Sequence, residues 1–80
     1  MNKLLCFTAE WCNPCKAMKP TIAKLNPDRV VQYDIDVDVQ KRAEYEIRSV
    51  PTFIIIDQNK KELIRITGSV ALSRLQELLG

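Results

Sequence analysis

Apolar positions along the chain alternate between short unbroken runs and short periodic stretches. Lys3-Leu-Leu-Cys-Phe7 is an unbroken run ending at Thr8, with the length and composition of a strand covered on both faces. Met18, Ile22 and Leu25 then recur at spacings of four and three, which predicts a helix. Pro14 suits its first turn, and Asn26-Pro27-Asp28 closes it. Pro20 lies inside, where its missing N–H and its ring predict a kink rather than an end, because the periodicity continues beyond it. Val30 to Ile35 reads as a second strand. Val39, Ala43 and Ile47 repeat every four residues through a polar background, predicting a short helix with a narrow inner face. Pro51 to Ile56 and Leu63 to Ile66 are rich in β-branched residues, and the polar stretch Asp57 to Lys61 between them predicts an antiparallel hairpin with a solvated Lys60-Lys61 turn. Gly68 breaks the chain before a last helix whose apolar face is Leu72, Leu75, Leu78 and Leu79.

The order β-α-β-α-β-β-α predicts an α/β fold. A helix joins the first two strands, so they should be parallel, whereas the hairpin adds antiparallel strands; helices then cover a four-stranded mixed sheet. A chain of 80 residues fits a single domain over 1–80, and at this size nearly every apolar residue is needed for the core. A net charge of +2 is too weak for the footprint of a nucleic-acid binder or a polybasic membrane anchor. The apolar start is too short for a signal segment, and no stretch is long enough to span a bilayer. Three cysteines cannot close into pairs, which argues against a disulfide-stapled secreted protein and for a reducing, cytoplasmic setting. Histidine is absent, so catalysis and metal ligation through imidazole are excluded.

Chemistry concentrates in Ala9-Glu-Trp-Cys-Asn-Pro-Cys-Lys16, a C-x-x-C set where a strand gives way to a helix. A thiolate at Cys12 would face backbone N–H groups without intrahelical partners and the positive end of the helix dipole, which lowers its pKa and makes it a nucleophile near neutral pH. Cys15 follows within one turn and can attack a mixed disulfide intramolecularly, so the pair can shuttle two electrons. A zinc site is the sharpest rival, but structural zinc takes four N or S ligands and the chain offers three cysteines, with Cys6 on a buried strand. Trp11 is expected partly exposed at a partner surface. Asp34-Ile-Asp-Val-Asp38 lacks the glycine and the bidentate glutamate of a calcium loop, and strand-end solvation with helix capping accounts for it. Tyr33 and Tyr45 are expected to pack rather than catalyse.

Trp11-Cys-Asn-Pro-Cys-Lys16 resembles the W-C-G-P-C-K active-site signature of the thioredoxin family. Glu10, Pro20 at the family's helix kink, Tyr45-Glu-Ile-Arg-Ser-Val-Pro-Thr52 and Gly68 before the last helix extend the likeness over essentially the whole chain. The resemblance implies a thioredoxin-like fold without the N-terminal strand and helix of full-length members, as in compact thioredoxins of phages and some archaea. It implies a cis Pro51, with the backbone before it beside the Cys12 sulfur, so that Val50 and Pro51 contact an extended substrate segment. Trp11, Asn13, Pro14 and Lys16 would support the redox-active Cys12–Cys15 pair. The implied activity is that of a thiol–disulfide oxidoreductase in which Cys12 attacks a protein disulfide and Cys15 resolves it. It would act as a monomer with no bound cofactor. Electrons would come from NADPH through a flavoprotein thioredoxin reductase, and acceptors would include ribonucleotide reductase.

The chain departs from the family pattern at four places. Asn13 stands for the usual glycine, Thr8 for a second tryptophan, Gln32 for a central-strand lysine and Cys6 for a buried acid. Without that acid, proton transfer from the resolving thiol should depend on water. Two alternatives remain at this level: a glutathione-dependent, glutaredoxin-like reductase, against which Gly68-Ser69 replaces a Gly-Gly pair, and a non-catalytic thioredoxin-fold binding subunit.

Overall fold

A computed structural model describes residues 1–80. The elements are β1 (Lys3–Thr8), α1 (Asn13–Ala23), β2 (Val30–Asp34), α2 (Val39–Glu44), β3 (Thr52–Ile56), β4 (Glu62–Thr67) and α3 (Leu72–Leu79), with a single 3-10 turn at Pro27–Arg29. The sheet order is β2-β1-β3-β4. β1 pairs in parallel with β2 and antiparallel with β3, and β3 pairs antiparallel with β4. This is the four-stranded mixed sheet that the sequence predicts.

The unbroken apolar runs become the central strands, β1 and β3, because only those strands are covered on both faces. Alternate residues feed two separate cores. Leu4, Cys6, Phe53 and Ile55 face Met18 and Ile22 of α1, Leu25 beyond it, and Leu75 and Leu79 of α3. On the opposite face Leu5, Phe7, Ile54 and Ile56 meet Ile35 and Ile47, with Tyr33 and Tyr45 at the margin, their rings 5.1 and 5.6 Å from that of Phe7. Both tyrosines pack, as expected.

Three expectations need correction. Leu25 is buried but lies past the end of α1, its N–H bonded to Ile22 O at 3.1 Å in the closing turn. Ile35 likewise falls just outside β2 and is held by its N–H on Thr8 O at 3.0 Å. The predicted inner face of α2 is not one: Val39 is 58% exposed and Ala43 is exposed, while Ile47 is buried from outside the helix. The cause is the way α2 ends. Glu46 adopts φ 52°, and the bonds Glu46 N–H to Ala43 O and Ile47 N–H to Arg42 O form a Schellman closure, which turns the chain and delivers Ile47 to the sheet. Glycine usually fills that left-handed position, so its absence hid the helix end from the sequence.

α1 continues through Pro20, and α3 is tied down by Arg29. The guanidinium donates to Asn2 O, at 3.0 Å from Nε and 2.9 Å from Nη2, and to Leu79 O and Gly80 O at the end of α3. One cation thus caps the exposed carbonyls of a helix C-terminus and clamps it to the start of β1.

Candidate active site

β1 carries the chain to the site and a tight turn sets the first cysteine. Cys12 N–H donates to Ala9 O at 3.2 Å, leaving Cys12 at the N-cap of α1 with extended backbone. Its sulfur takes the place of the usual capping oxygen, accepting the Cys15 N–H at 3.2 Å, while its carbonyl accepts from Lys16 N at 3.1 Å. The first turn of α1 holds no acidic residue, so no charge within the helix's own first turn opposes the stabilisation of a thiolate by the helix end. Cys12 and Cys15 are joined in a disulfide, with Cα atoms 5.2 Å apart.

The segment before β3 forms a second wall. Cys12 Sγ lies 3.6 Å from Val50 O, and the Val50–Pro51 peptide is cis, as the resemblance implies. Thr52, buried, donates its hydroxyl to Ser49 O at 2.7 Å, and Gly68 N donates to Pro51 O at 2.8 Å. Gly68 has φ +90°, a backbone that L side chains rarely adopt, which explains a glycine at this contact.

The link from β2 to α2 forms the third wall. Trp11 donates its indole N–H to Asp36 Oδ2 at 2.8 Å, so the ring is anchored although 66% exposed. Asp34 Oδ1 accepts from Asp36 N at 2.8 Å, and Asp38 Oδ2 accepts from Asp34 N at 3.0 Å. Asp38 occupies the N-cap position of α2 without making a side-chain cap bond. The expected helix capping is therefore replaced by closure of the aspartate loop on itself. Asp36 escaped the sequence reading because its partner is 25 positions away and nothing local marks the pair.

The structure brings Trp11, Cys12, Cys15, Val50 and Pro51 together, with Asn13, Pro14 and Lys16 exposed around the pair. In the disulfide form both cysteines are covered: Cys12 is 5% and Cys15 2% exposed, and both join the core cluster of Phe7, Ile35 and Ile47. No apolar run surrounds them in sequence, and the cover comes from residues folded over them. Cys6 belongs to the other cluster, and burial pushes its thiol up from 9.0 to about 12. The three cysteines do not converge, and no three Cys, Asp or Glu side chains are gathered as metal ligands.

The family description "Thioredoxin" matches residues 1–80. The chain belongs to the thioredoxin family. It is 38% identical over 77 residues to a thioredoxin of Mycoplasmoides gallisepticum, covering 91% of this chain and 76% of that one. Among solved structures, mitochondrial thioredoxin 3 of Saccharomyces cerevisiae in its oxidised form superposes with a TM-score of 0.81 at 28% identity, covering 98% of this chain and 76% of that one. A mutant thioredoxin from Halobacterium salinarum gives 0.87 at 26% identity, covering 98% and 71%. The chain is a thiol–disulfide oxidoreductase that reduces protein disulfides by exchange through Cys12 and Cys15. Thioredoxins carry electrons on the cysteine pair and bind no cofactor themselves. No helix here is long and apolar enough to cross a membrane.

Proposed function

We propose that Cys12 is the attacking thiol and Cys15 the resolving one, within a single domain of residues 1–80. The observation that carries this is the position of the Cys12 sulfur, at the N-cap of α1 and 3.6 Å from the Val50 carbonyl. A thiolate there is stabilised by the helix end and lies beside backbone that an extended peptide can pair with. Val50 and Pro51 bind the substrate segment. Trp11, braced by Asp36, forms the rim against which a partner packs, while Asn13, Pro14 and Lys16 shape the turn around the pair.

The cycle is a two-electron exchange. Cys12 thiolate attacks a target disulfide, releasing one thiolate and forming a mixed disulfide; Cys15 then attacks Cys12 Sγ, loses its proton and expels the second target thiolate. Thioredoxin reductase returns the dithiol form, drawing on NADPH through its flavin, and disulfide-bearing proteins, ribonucleotide reductase among them, are the acceptors. The protein works as a monomer in the cytoplasm, a setting that suits an odd cysteine count and a buried, unpaired Cys6.

The test is insulin reduction. Turnover is expected with dithiothreitol and with NADPH plus thioredoxin reductase, and to be absent with glutathione plus glutathione reductase. Cys12→Ser should abolish it and Cys15→Ser should accumulate a mixed disulfide. Rapid turnover on glutathione would instead identify a glutaredoxin-like reductase. Full activity in Cys12→Ser would overturn the assignment of the nucleophile.

A further inference from the structure

The resolving step needs an exit for a proton, and the structure offers one route. Cys15 is nearly sealed, and the cap position that favours a thiolate is occupied by Cys12. Cys6, at the place where the family pattern has an acid, belongs to the opposite core and holds its own proton tightly. What does reach Cys15 is a crevice of about 200 Å³ lined by Thr8, Glu10, Lys19, Gln32 and Asp34 as well as by Cys15. That is smaller than the roughly 300 Å³ at which small-molecule sites begin, but it holds about six waters at about 30 Å³ each, with polar groups to bind them.

Two carboxylates border this crevice, and they differ in how firmly they are held. Glu10 is exposed on a long side chain. Asp34 is half-buried at the end of β2, and its position is fixed four times over: its N–H is bonded to Asp38, its Oδ1 accepts from Asp36, and its carbonyl accepts from Val37 and Asp38 N–H at 3.0 and 2.7 Å. Its Oδ2 has no protein partner and is free to accept from water. A short, locked carboxylate is the better-placed proton acceptor.

We propose that this crevice is the exit path for the Cys15 proton and that Asp34, reached through crevice water, receives it. The proposal rests on Cys15 being the resolving thiol. As Cys15 Sγ bonds to Cys12 Sγ and the Cys12–substrate bond breaks, the electron pair of that bond leaves on the substrate sulfur. The Cys15 proton passes through water to Asp34 and from there to bulk solvent. Asp34 acts through water and touches no reacting atom. The other charged groups facing the crevice are Glu10 and Lys19; the Lys19 ammonium favours the developing thiolate, which the two carboxylates oppose, so Asp34 contributes as an acceptor and not through its field.

Rapid mixing of the reduced protein with 2,2′-dipyridyl disulfide tests this. The reagent is neutral and releases pyridine-2-thione twice, first when Cys12 attacks and again when Cys15 resolves. Asp34→Asn keeps the Oδ1 acceptor for the Asp36 N–H but removes the base. It should leave the first release unchanged and slow the second by about tenfold near neutral pH, and the deficit should shrink as pH rises and hydroxide takes the proton directly. Gln32→Leu, which fills and dries the crevice from a different residue, should slow the second release as well and keeps the test open if Asp34→Asn fails to fold. A wild-type second phase in either folded variant would overturn the proposal, and so would a slowing by Asp34→Asn that is equal at all pH values, as a displaced loop would produce. A first release that survives in Cys12→Ser would instead overturn the assignment of the pair.

Discussion

Cys6 and Cys12 lie on the same short stretch of chain, one inside β1 and the other just past its end, yet their surroundings are opposite. Cys6 is sealed under α1 and α3, 0% exposed among Leu4, Met18, Phe53 and Leu75, and burial alone raises its thiol to about 12. Cys12 sits at a helix N-terminus against a backbone carbonyl, under a thinner cover of loop residues. One side chain type thus serves as packing in one place and, on the proposed mechanism, as the nucleophile in the other, and what separates them is whether a dipole or only hydrocarbon meets the sulfur. The family's buried acid would bring charge into the sealed region. In this chain the sealed region is wholly apolar, and the charged groups near the pair line the crevice beside Cys15.

The widest separation is expected in reactivity. In the reduced protein, iodoacetamide followed by mass mapping should label Cys12 at least on the order of a thousandfold faster than Cys6, since a thiol held near 12 has almost no thiolate at neutral pH. Cys6→Ala should retain insulin reduction. Labelling of Cys6 at a comparable rate in the folded state, or loss of turnover in a folded Cys6→Ala, would erase the contrast.

Charge placed in the sealed region should be costly. Cys6→Asp is expected to lose about 3–5 kcal/mol at pH 8, the cost of an unpaired buried carboxylate, and less at pH 4. The sign follows from linkage: a buried Asp has a folded pKa above its unfolded one, so the penalty grows as pH rises past the unfolded value. Cys6 itself obeys the same rule at higher pH. Its thiol rises from 9.0 to about 12 on folding, so its neutral form contributes stability that is present below pH 9 and lost as pH climbs towards 12. Denaturant titrations of wild type and Cys6→Ala should diverge in that window, and parallel curves would refute the assignment.

A smaller effect should follow from loosening the lid over Cys6. Arg29→Ala removes the clamp on the end of α3 and should cost about 2 kcal/mol, the loss of charge-assisted bonds to several carbonyls. Labelling of Cys6 should accelerate while the Cys12 rate holds. Equal acceleration of both would mean that the two regions open together.

The smallest change concerns the cover of the reactive pair. Glu46→Gly relieves a left-handed residue at the closure of α2 and should stabilise the protein by about 0.5–1 kcal/mol without altering insulin turnover. A destabilised variant would mean that the Glu46 side chain does more than occupy the turn.

The sequence by itself determined the elements, their order and the reactive pair, because these rest on local physics. Unbroken apolar runs can be hidden only in central strands, leucines at helical spacing define one face of α3, and a C-x-x-C entering a helix sets its first sulfur on the N-cap whatever surrounds it. The tertiary structure alone decided what touches that pair. Val50 comes to the Cys12 sulfur from 38 positions away, Asp36 finds Trp11 from 25, and Asp34 reaches the crevice from the far strand of a parallel pair. It also decided that Ile47, not Val39 or Ala43, covers the site, since a turn at Glu46 breaks the periodicity that the sequence offered. Periodicity reports which side of an element is buried only while the element lasts. Where the chain leaves its helix or strand, burial is set by long-range packing, and the active site is built almost entirely from such places.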